Sequence, residues 1–126
     1  MSATQPHPAD RFQIDVEPER DIARVCPSGD VDLATVDSIR QRIAELTSVG
    51  FKRVALDLRG VTFLDSTGLR LVLELKAASA AAGWEFAVIE GSQDVQRVFE
   101  LTGVRPLVPF LDATELRYAH WTPAAA

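Results

Sequence analysis

The stretch that decides the fold reads VTFLDSTGLRLVLEL and covers residues 61–75. An apolar run leads into the tetrapeptide DSTG at residues 65–68, and a longer apolar run follows it. Hydroxyl and carboxylate side chains of this kind favour the start of a helix. The tetrapeptide alone is compatible with a plain turn, a catalytic nucleophile, a phosphate-binding loop or a phosphorylation target.

The patterns on both sides of this stretch predict an α/β fold. Alternating apolar residues predict two strands, over 11–18 and 22–29, which we expect to pair as a hairpin. The remaining elements follow in the order helix, strand, helix, strand, helix, edge strand and short helix, over 34–49, 53–58, 69–82, 85–91, 92–102, 106–112 and 112–118. We expect Asp32 and Ser92 to cap helices, and Gly50, Gly83 and Gly103 to end them. Strands that alternate with helices imply a mostly parallel sheet packed by about four helices.

Length and charge narrow the class of protein. The chain has 126 residues, which favours one domain, expected over residues 11–118 with flexible tails over 1–10 and 119–126. A net charge of −5 without a basic stripe argues against direct binding to nucleic acid or to an anionic membrane. We see no membrane-spanning segment and no signal peptide. Cys26 is the only cysteine, which fits a reducing compartment.

The residue inventory argues against an enzyme. The only histidines, His7 and His120, fall in the predicted tails, so Ser66 lacks the base that an acyl-transfer serine requires. The usual glycine-rich nucleotide loops are missing from the sequence. One cysteine and no histidine cluster make a structural zinc site implausible. We therefore expect no catalytic residue, no metal and no cofactor.

Three segments together resemble one known family. The segments are PSGDVDLATVDSIRQRI at 27–43, DLRGVTFLDSTGLRLVLEL at 57–75 and DVQRVFELTGV at 94–104. In this order they resemble the STAS domain family and, more narrowly, the bacterial anti-sigma factor antagonists. The resemblance covers about residues 11–118 and agrees with the predicted order of elements.

The resemblance implies a cytoplasmic protein-interaction switch. The unmodified antagonist binds an anti-sigma factor that is a serine kinase, and the sigma factor is released. The kinase phosphorylates the serine after the aspartate of the motif, which here is Ser66, and the phosphorylated form no longer binds. A serine phosphatase restores the antagonist. A monomer or a weak homodimer is expected.

The resemblance also implies a partner surface, because it places the segment at residues 29–32 beside the DSTG loop. The implied partner-binding residues are Asp30, Asp32, Asp65, Ser66, Thr67, Gly68 and Leu69. A phosphate on Ser66 would add negative charge to this acidic surface, and we expect it to block docking locally with little refolding.

Simpler roles for these residues stay open. Ser66 and Thr67 could act only as helix-capping hydroxyls, and Asp30 could be merely solvated. Leu69 and Leu73 could belong to the core instead of the interface. Gly68 could serve backbone geometry or the approach of a kinase.

Other functions of a STAS domain also stay open. The alternatives are a subunit of a stress-signalling scaffold and a subunit of a lipid-transport ATPase complex. The transporter subunit would be expected to carry threonine at the position of Ser66, and a scaffold protein would be expected to carry an additional sensory domain.

Overall fold

A computed structural model of the protein describes residues 11–114. In this range six strands form one sheet, and three α-helices connect its parallel strands. The strands are β1 (Gln13–Glu19), β2 (Ile22–Val31), β3 (Arg53–Asp57), β4 (Val61–Leu64), β5 (Glu85–Ile89) and β6 (Phe110–Leu111). The helices are α1 (Val36–Ser48), α2 (Ser66–Ala82) and α3 (Gln93–Leu101). The predicted α/β fold is confirmed.

The sheet is mixed and mostly parallel, as predicted. Its order is β1-β2-β3-β5-β6, and β4 pairs with β2 beyond the end of β3. The β1–β2 hairpin is antiparallel, whereas the other described pairings are parallel. The two residues of β6, which directly follow Pro109, form an edge strand on β5, and this confirms the expectation for residues 106–112 in a shorter form.

The helix-capping signals hold for two of the three helices. The Asp65 carboxylate caps α2, which begins at Ser66 instead of the predicted residue 69, and the Ser92 hydroxyl caps α3. Asp32 is not the N-cap of α1, because Thr35 occupies that position. The Asp32 side chain instead accepts a hydrogen bond from the backbone of Ala34, which closes a tight turn before the helix.

Two expectations about the strands need correction. Strand β2 does not end at Gly29 but continues to Val31, with an irregularity between Gly29 and Asp30 where Gly29 adopts a φ of +111°. The short strand β4 was not predicted as a separate element.

The estimate of about four helices is too high for residues 11–114, which contain three. A 3-10 turn at Arg105–Leu107 follows α3. The predicted helix over 112–118 lies mostly outside the described residues, as do both predicted tails.

The core lies between the three helices and one face of the sheet. It is built from buried side chains of β2, β3 and β5 and from the inner sides of the helices, with Ile39, Leu71 and Phe99 at 1% exposure or less. A smaller cluster on the opposite face contains Ile22, Ala55, Ala87, Ile89 and Leu111. No helix within residues 11–114 combines the length and the apolar character needed to cross a membrane.

Candidate functional site

Two loops meet where β2 and β4 end. Val31 and Leu64 are register partners in the parallel β2–β4 pair. The backbone N–H of Asp65 donates to the carbonyl oxygen of Val31 at 3.3 Å. The structure therefore brings the predicted segment at residues 29–32 beside the DSTG tetrapeptide, and we call the surface formed by residues 30–35 and 62–67 the switch surface.

The DSTG segment forms the first turn of α2. One carboxylate oxygen of Asp65 accepts hydrogen bonds from the backbone N–H groups of Thr67 at 2.9 Å and of Gly68 at 3.1 Å. Ser66 is the first helical residue and is exposed, whereas Thr67 is half-buried. The serine hydroxyl is thus accessible to a partner, and the Asp65 carboxylate already occupies two of the free N–H groups at the helix start.

Gly68 and Leu69 hold the start of α2 against the sheet. A Cβ at Gly68 would lie 2.9 Å from Cγ1 of Val31 and 3.0 Å from Cγ of Leu64. The backbone of the helix therefore approaches β2 and β4 more closely than any side chain allows, which assigns Gly68 a packing role. Leu69 is 8% exposed and belongs to the core cluster.

The long apolar run of α2 also has a packing explanation. Helix α2 contacts both the sheet and α1, and Leu73, on the same helix, is half-buried against the core. Between the two helices, a guanidinium nitrogen of Arg40 lies 2.9 Å from a carboxylate oxygen of Glu74. The packing of Leu73 favours the core over the interface, the two places that the sequence left open for this residue.

The loop between β2 and α1 is held by a hydrogen-bonded network. The Thr35 hydroxyl, which is buried, donates to the carbonyl oxygen of Asp30 at 2.7 Å and accepts from the backbone N–H of Asp32 at 3.0 Å. The hydroxyl of Thr62 donates to the Asp30 carboxylate at 2.7 Å and so links the loop to β4. Asp30 is therefore anchored rather than freely solvated. Sequence reasoning missed Thr35, whose hydroxyl makes no hydrogen bond to the first turn of α1 and instead holds the preceding loop.

Two large apolar side chains of the switch surface are exposed. Leu33 is 78% exposed in the β2–α1 loop, and Phe63 is 52% exposed on β4. Phe63 is the register partner of Asp30, and Leu33 directly follows Asp32. Sequence reasoning singled out neither residue. The available signal was weak, because Leu33 is an apolar residue that precedes the helical periodicity of α1.

The strongest electrostatic interactions lie elsewhere, on the sheet face opposite the helices. The Asp57 side chain is 4% exposed and accepts hydrogen bonds from Arg24 at 2.8 Å and from Arg59 at 2.7 Å. Burial by itself would raise the pKa of Asp57, but the hydrogen bonds from the two arginines outweigh it, and the pKa is lowered. Glu17 and Glu19 also pair with Arg24.

Cys26 lies beside this ion-pair cluster. Burial raises the pKa of its thiol to about 11, despite the nearby arginine charge, so the group is protonated and unreactive near neutral pH. Residues 11–114 contain no group of three or more histidine, cysteine, aspartate or glutamate side chains that could hold a metal ion.

Comparison with known proteins assigns the family. Residues 13–116 match the family model of the STAS domain, so the chain belongs to the STAS domain family. It is 29% identical over 102 residues to the anti-sigma F factor antagonist of Paenibacillus polymyxa, which covers 80% of this chain and 87% of the relative. It is 27% identical over 88 residues to the anti-sigma-B factor antagonist of Staphylococcus aureus, which covers 70% of this chain and 82% of the relative.

The fold is shared with a solved antagonist. The structure of the anti-sigma factor antagonist SpoIIAA in its unphosphorylated form aligns with a TM-score of 0.65 at 25% identity and covers 86% of this chain and 92% of that chain. The Bacillus SpoIIAA has also been solved in its phosphorylated form, which aligns with a TM-score of 0.61 at 24% identity. That alignment covers 86% of this chain and 96% of the other.

Proposed function

We propose that this protein is an anti-sigma factor antagonist controlled by phosphorylation of Ser66. In its unmodified form it binds an anti-sigma factor that is a serine kinase, and the sigma factor held by that kinase is released. The kinase then transfers a phosphate to Ser66, and the antagonist dissociates. The protein is a substrate and a switch in this scheme, not an enzyme.

The observation that carries the proposal is the position of Ser66. The residue is exposed at the first helical position of α2, directly after the capping Asp65. It stands within the segment that resembles the phosphorylated motif of the family. The relatives named as anti-sigma factor antagonists, and the two solved forms of SpoIIAA, support the same function.

The electrostatics of the switch surface favour a local effect of phosphorylation. A phosphate adds about −1.5 to −2 charges at neutral pH. It would be attached next to Asp65, on a surface that also contains Asp30 and Asp32, both partly exposed. Binding would then require the removal of water from a concentrated negative charge at the modified residue, which is costly. The position at a helix start is itself compatible with an anion, so the fold is retained.

Several further features belong to the proposal. The surface that contacts the kinase comprises Asp30, Asp32, Asp65, Ser66 and Thr67, with the buried Gly68 and Leu69 holding the start of α2 in place. A serine phosphatase reverses the modification. The protein acts in the cytoplasm as a monomer or a weak homodimer, without direct contact with nucleic acid or membrane, and its STAS domain covers about residues 11–118 between short tails.

The test uses the purified anti-sigma factor kinases of the source organism. Each kinase is titrated with the wild type, with Ser66→Ala and with Ser66→Asp, and binding is measured by calorimetry. We expect one kinase to bind both the wild type and Ser66→Ala. Its affinity for Ser66→Asp should be at least a hundredfold lower. Ala78→Asp is the matched control, because it places the same charge at an exposed position of α2 about 18 Å further along the helix.

The proposal fails if no kinase binds the wild type, or if Ser66→Asp binds as tightly as Ala78→Asp. A circular dichroism spectrum of phosphorylated protein that differs strongly from that of the unmodified protein would contradict the local mechanism.

A further inference from the structure

We propose that Leu33 and Phe63 are the apolar anchors with which the protein docks its anti-sigma factor. The inference rests on the proposed function and deepens it, because it identifies which contacts supply affinity and which residue supplies control. The partner surface that fits is an apolar socket with a basic rim.

Exposure and position single out these two side chains. The large apolar residues that are exposed within residues 11–114 are Leu33, Val49, Phe63, Leu101 and Leu107. Leu33 and Phe63 alone among them belong to the switch surface, Leu33 in the β2–α1 loop and Phe63 on strand β4. Apolar side chains inside a polar surround are typical of the residues that dominate binding energy in protein interfaces.

The backbone that presents the anchors is already ordered. The Thr35 hydroxyl bridges Asp30 and Asp32 on the two sides of Val31, directly before Leu33. Strand β4, which contains Phe63, pairs with β2 through the backbone. The hydrogen bond between the Thr62 and Asp30 side chains links the same two strands. Little conformational entropy is therefore lost when these loops dock, which favours affinity.

The charges around the anchors determine the partner's chemistry. Asp30, Asp32 and Asp65 are partly exposed on the same two segments as the apolar side chains, and Arg70 is an exposed cation in the first turns of α2. The balance is acidic, so a complementary partner presents basic side chains at the rim of its socket. Binding should then weaken as the salt concentration rises.

This arrangement explains how one phosphate can end the interaction. Ser66 begins α2 three residues after Phe63, and its neighbour Asp65 is hydrogen-bonded to Val31, at the start of the loop that contains Leu33. When the anchors are seated, the Ser66 hydroxyl lies under the partner, where a neutral hydroxyl is tolerated. A phosphate at that point would have to be buried against the apolar socket, which opposes docking without any change in the anchors.

The experiment compares two matched pairs of variants against the kinase that binds the wild type. Leu33→Ala is paired with Leu101→Ala, at 78% and 80% exposure, and Phe63→Ala is paired with Leu107→Ala, at 52% and 53%. We expect each anchor variant to weaken binding at least tenfold and each control to remain within twofold of the wild type. Circular dichroism and urea unfolding confirm that all four variants are folded, and Phe63→Leu replaces Phe63→Ala if the latter is not.

The outcomes distinguish failure of the anchor proposal from failure of the proposed function. If both anchor variants bind like the wild type while Ser66→Asp does not bind, the anchors are wrong and the phosphorylation switch stands. If no kinase binds the wild type, both proposals are overturned. An affinity that rises with salt concentration contradicts the basic rim.

Discussion

The backbone N–H of Asp65 donates to the carbonyl oxygen of Val31 across 3.3 Å, and this hydrogen bond joins the two segments of the switch surface. Val31 is the last residue of β2, and Asp65 is the N-cap of α2. The position of Ser66 relative to Asp30 and Asp32 is therefore determined by strand pairing and not by flexible loops.

The cap formed by Asp65 should be measurable as stability. Asp65→Ala removes the acceptor of two backbone hydrogen bonds, and we expect the free energy of unfolding to fall by about 1 kcal/mol. Asp65→Asn keeps a capping oxygen and should remain close to the wild type. Urea unfolding of the three proteins checks this, and equal stability of Asp65→Ala and the wild type would show that the cap contributes nothing.

The close approach at Gly68 predicts that glycine stabilises α2 more than alanine does at this position. Gly68→Ala places a Cβ about 3 Å from Val31 and Leu64, so we expect a loss of about 1–3 kcal/mol in the free energy of unfolding. At exposed Ala80 on the same helix the preference is the opposite, and Ala80→Gly should cost about 1 kcal/mol. A Gly68→Ala variant more stable than the wild type in thermal unfolding would contradict the packing role.

The buried carboxylate of Asp57 should make stability depend on acid. Its pKa is lowered, because hydrogen bonds from Arg59 and Arg24 outweigh burial, so its contribution is complete above the unfolded pKa of about 4. The contribution is lost as the pH falls through the lower folded pKa. Asp57→Asn should cost about 3 kcal/mol at pH 7, since it leaves Arg24 without its buried partner, and less at pH 2–3.

Asp37→Asn is the control for Asp57→Asn. Asp37 is 88% exposed and pairs with Arg40 at the surface, where an ion pair contributes about 0–1 kcal/mol. Urea unfolding at both pH values measures the two variants. A constant difference between Asp57→Asn and the wild type across this range would argue against the lowered pKa.

Cys26 should react slowly in the folded protein. A rise in the pKa of its thiol from 9.0 to about 11 reduces the thiolate fraction near pH 7.5 about a hundredfold. Alkylation by iodoacetamide should therefore be slow in buffer, should accelerate up to about pH 11, and should reach the usual cysteine rate in guanidinium chloride. Equal rates in the folded and unfolded protein would contradict the burial of this group.

Much of the fold follows from local patterns in the sequence. Alternation over β1 and helical spacing over α1 reflect the single face that each element buries, and glycines follow the ends of all three helices. The cap of α2 is also predictable from the DSTG segment alone. Asp65 accepts hydrogen bonds from the backbone of Thr67 and Gly68 within the same tetrapeptide, so the cap needs no distant partner.

The remaining features depend on contacts that are distant in the sequence. Strand β4 has only four residues, and it exists because it pairs with β2 about thirty residues earlier. Thr35 replaces Asp32 as the N-cap because β2 continues to Val31 and delays the start of the helix. The exposure of Leu33 and Phe63 depends on which neighbours cover them, and no periodicity in the sequence reports it.

The central claim is that Ser66 is a regulated phosphorylation site. Its most direct test is phosphosite mapping by mass spectrometry on the protein isolated from its own cells, before and after stress. We expect phosphate on Ser66 with an occupancy that changes with conditions, and no comparable change at Thr67. Phosphate only at other residues, or none under any condition, would contradict the claim and leave Ser66 as an exposed helical residue of a STAS interaction domain.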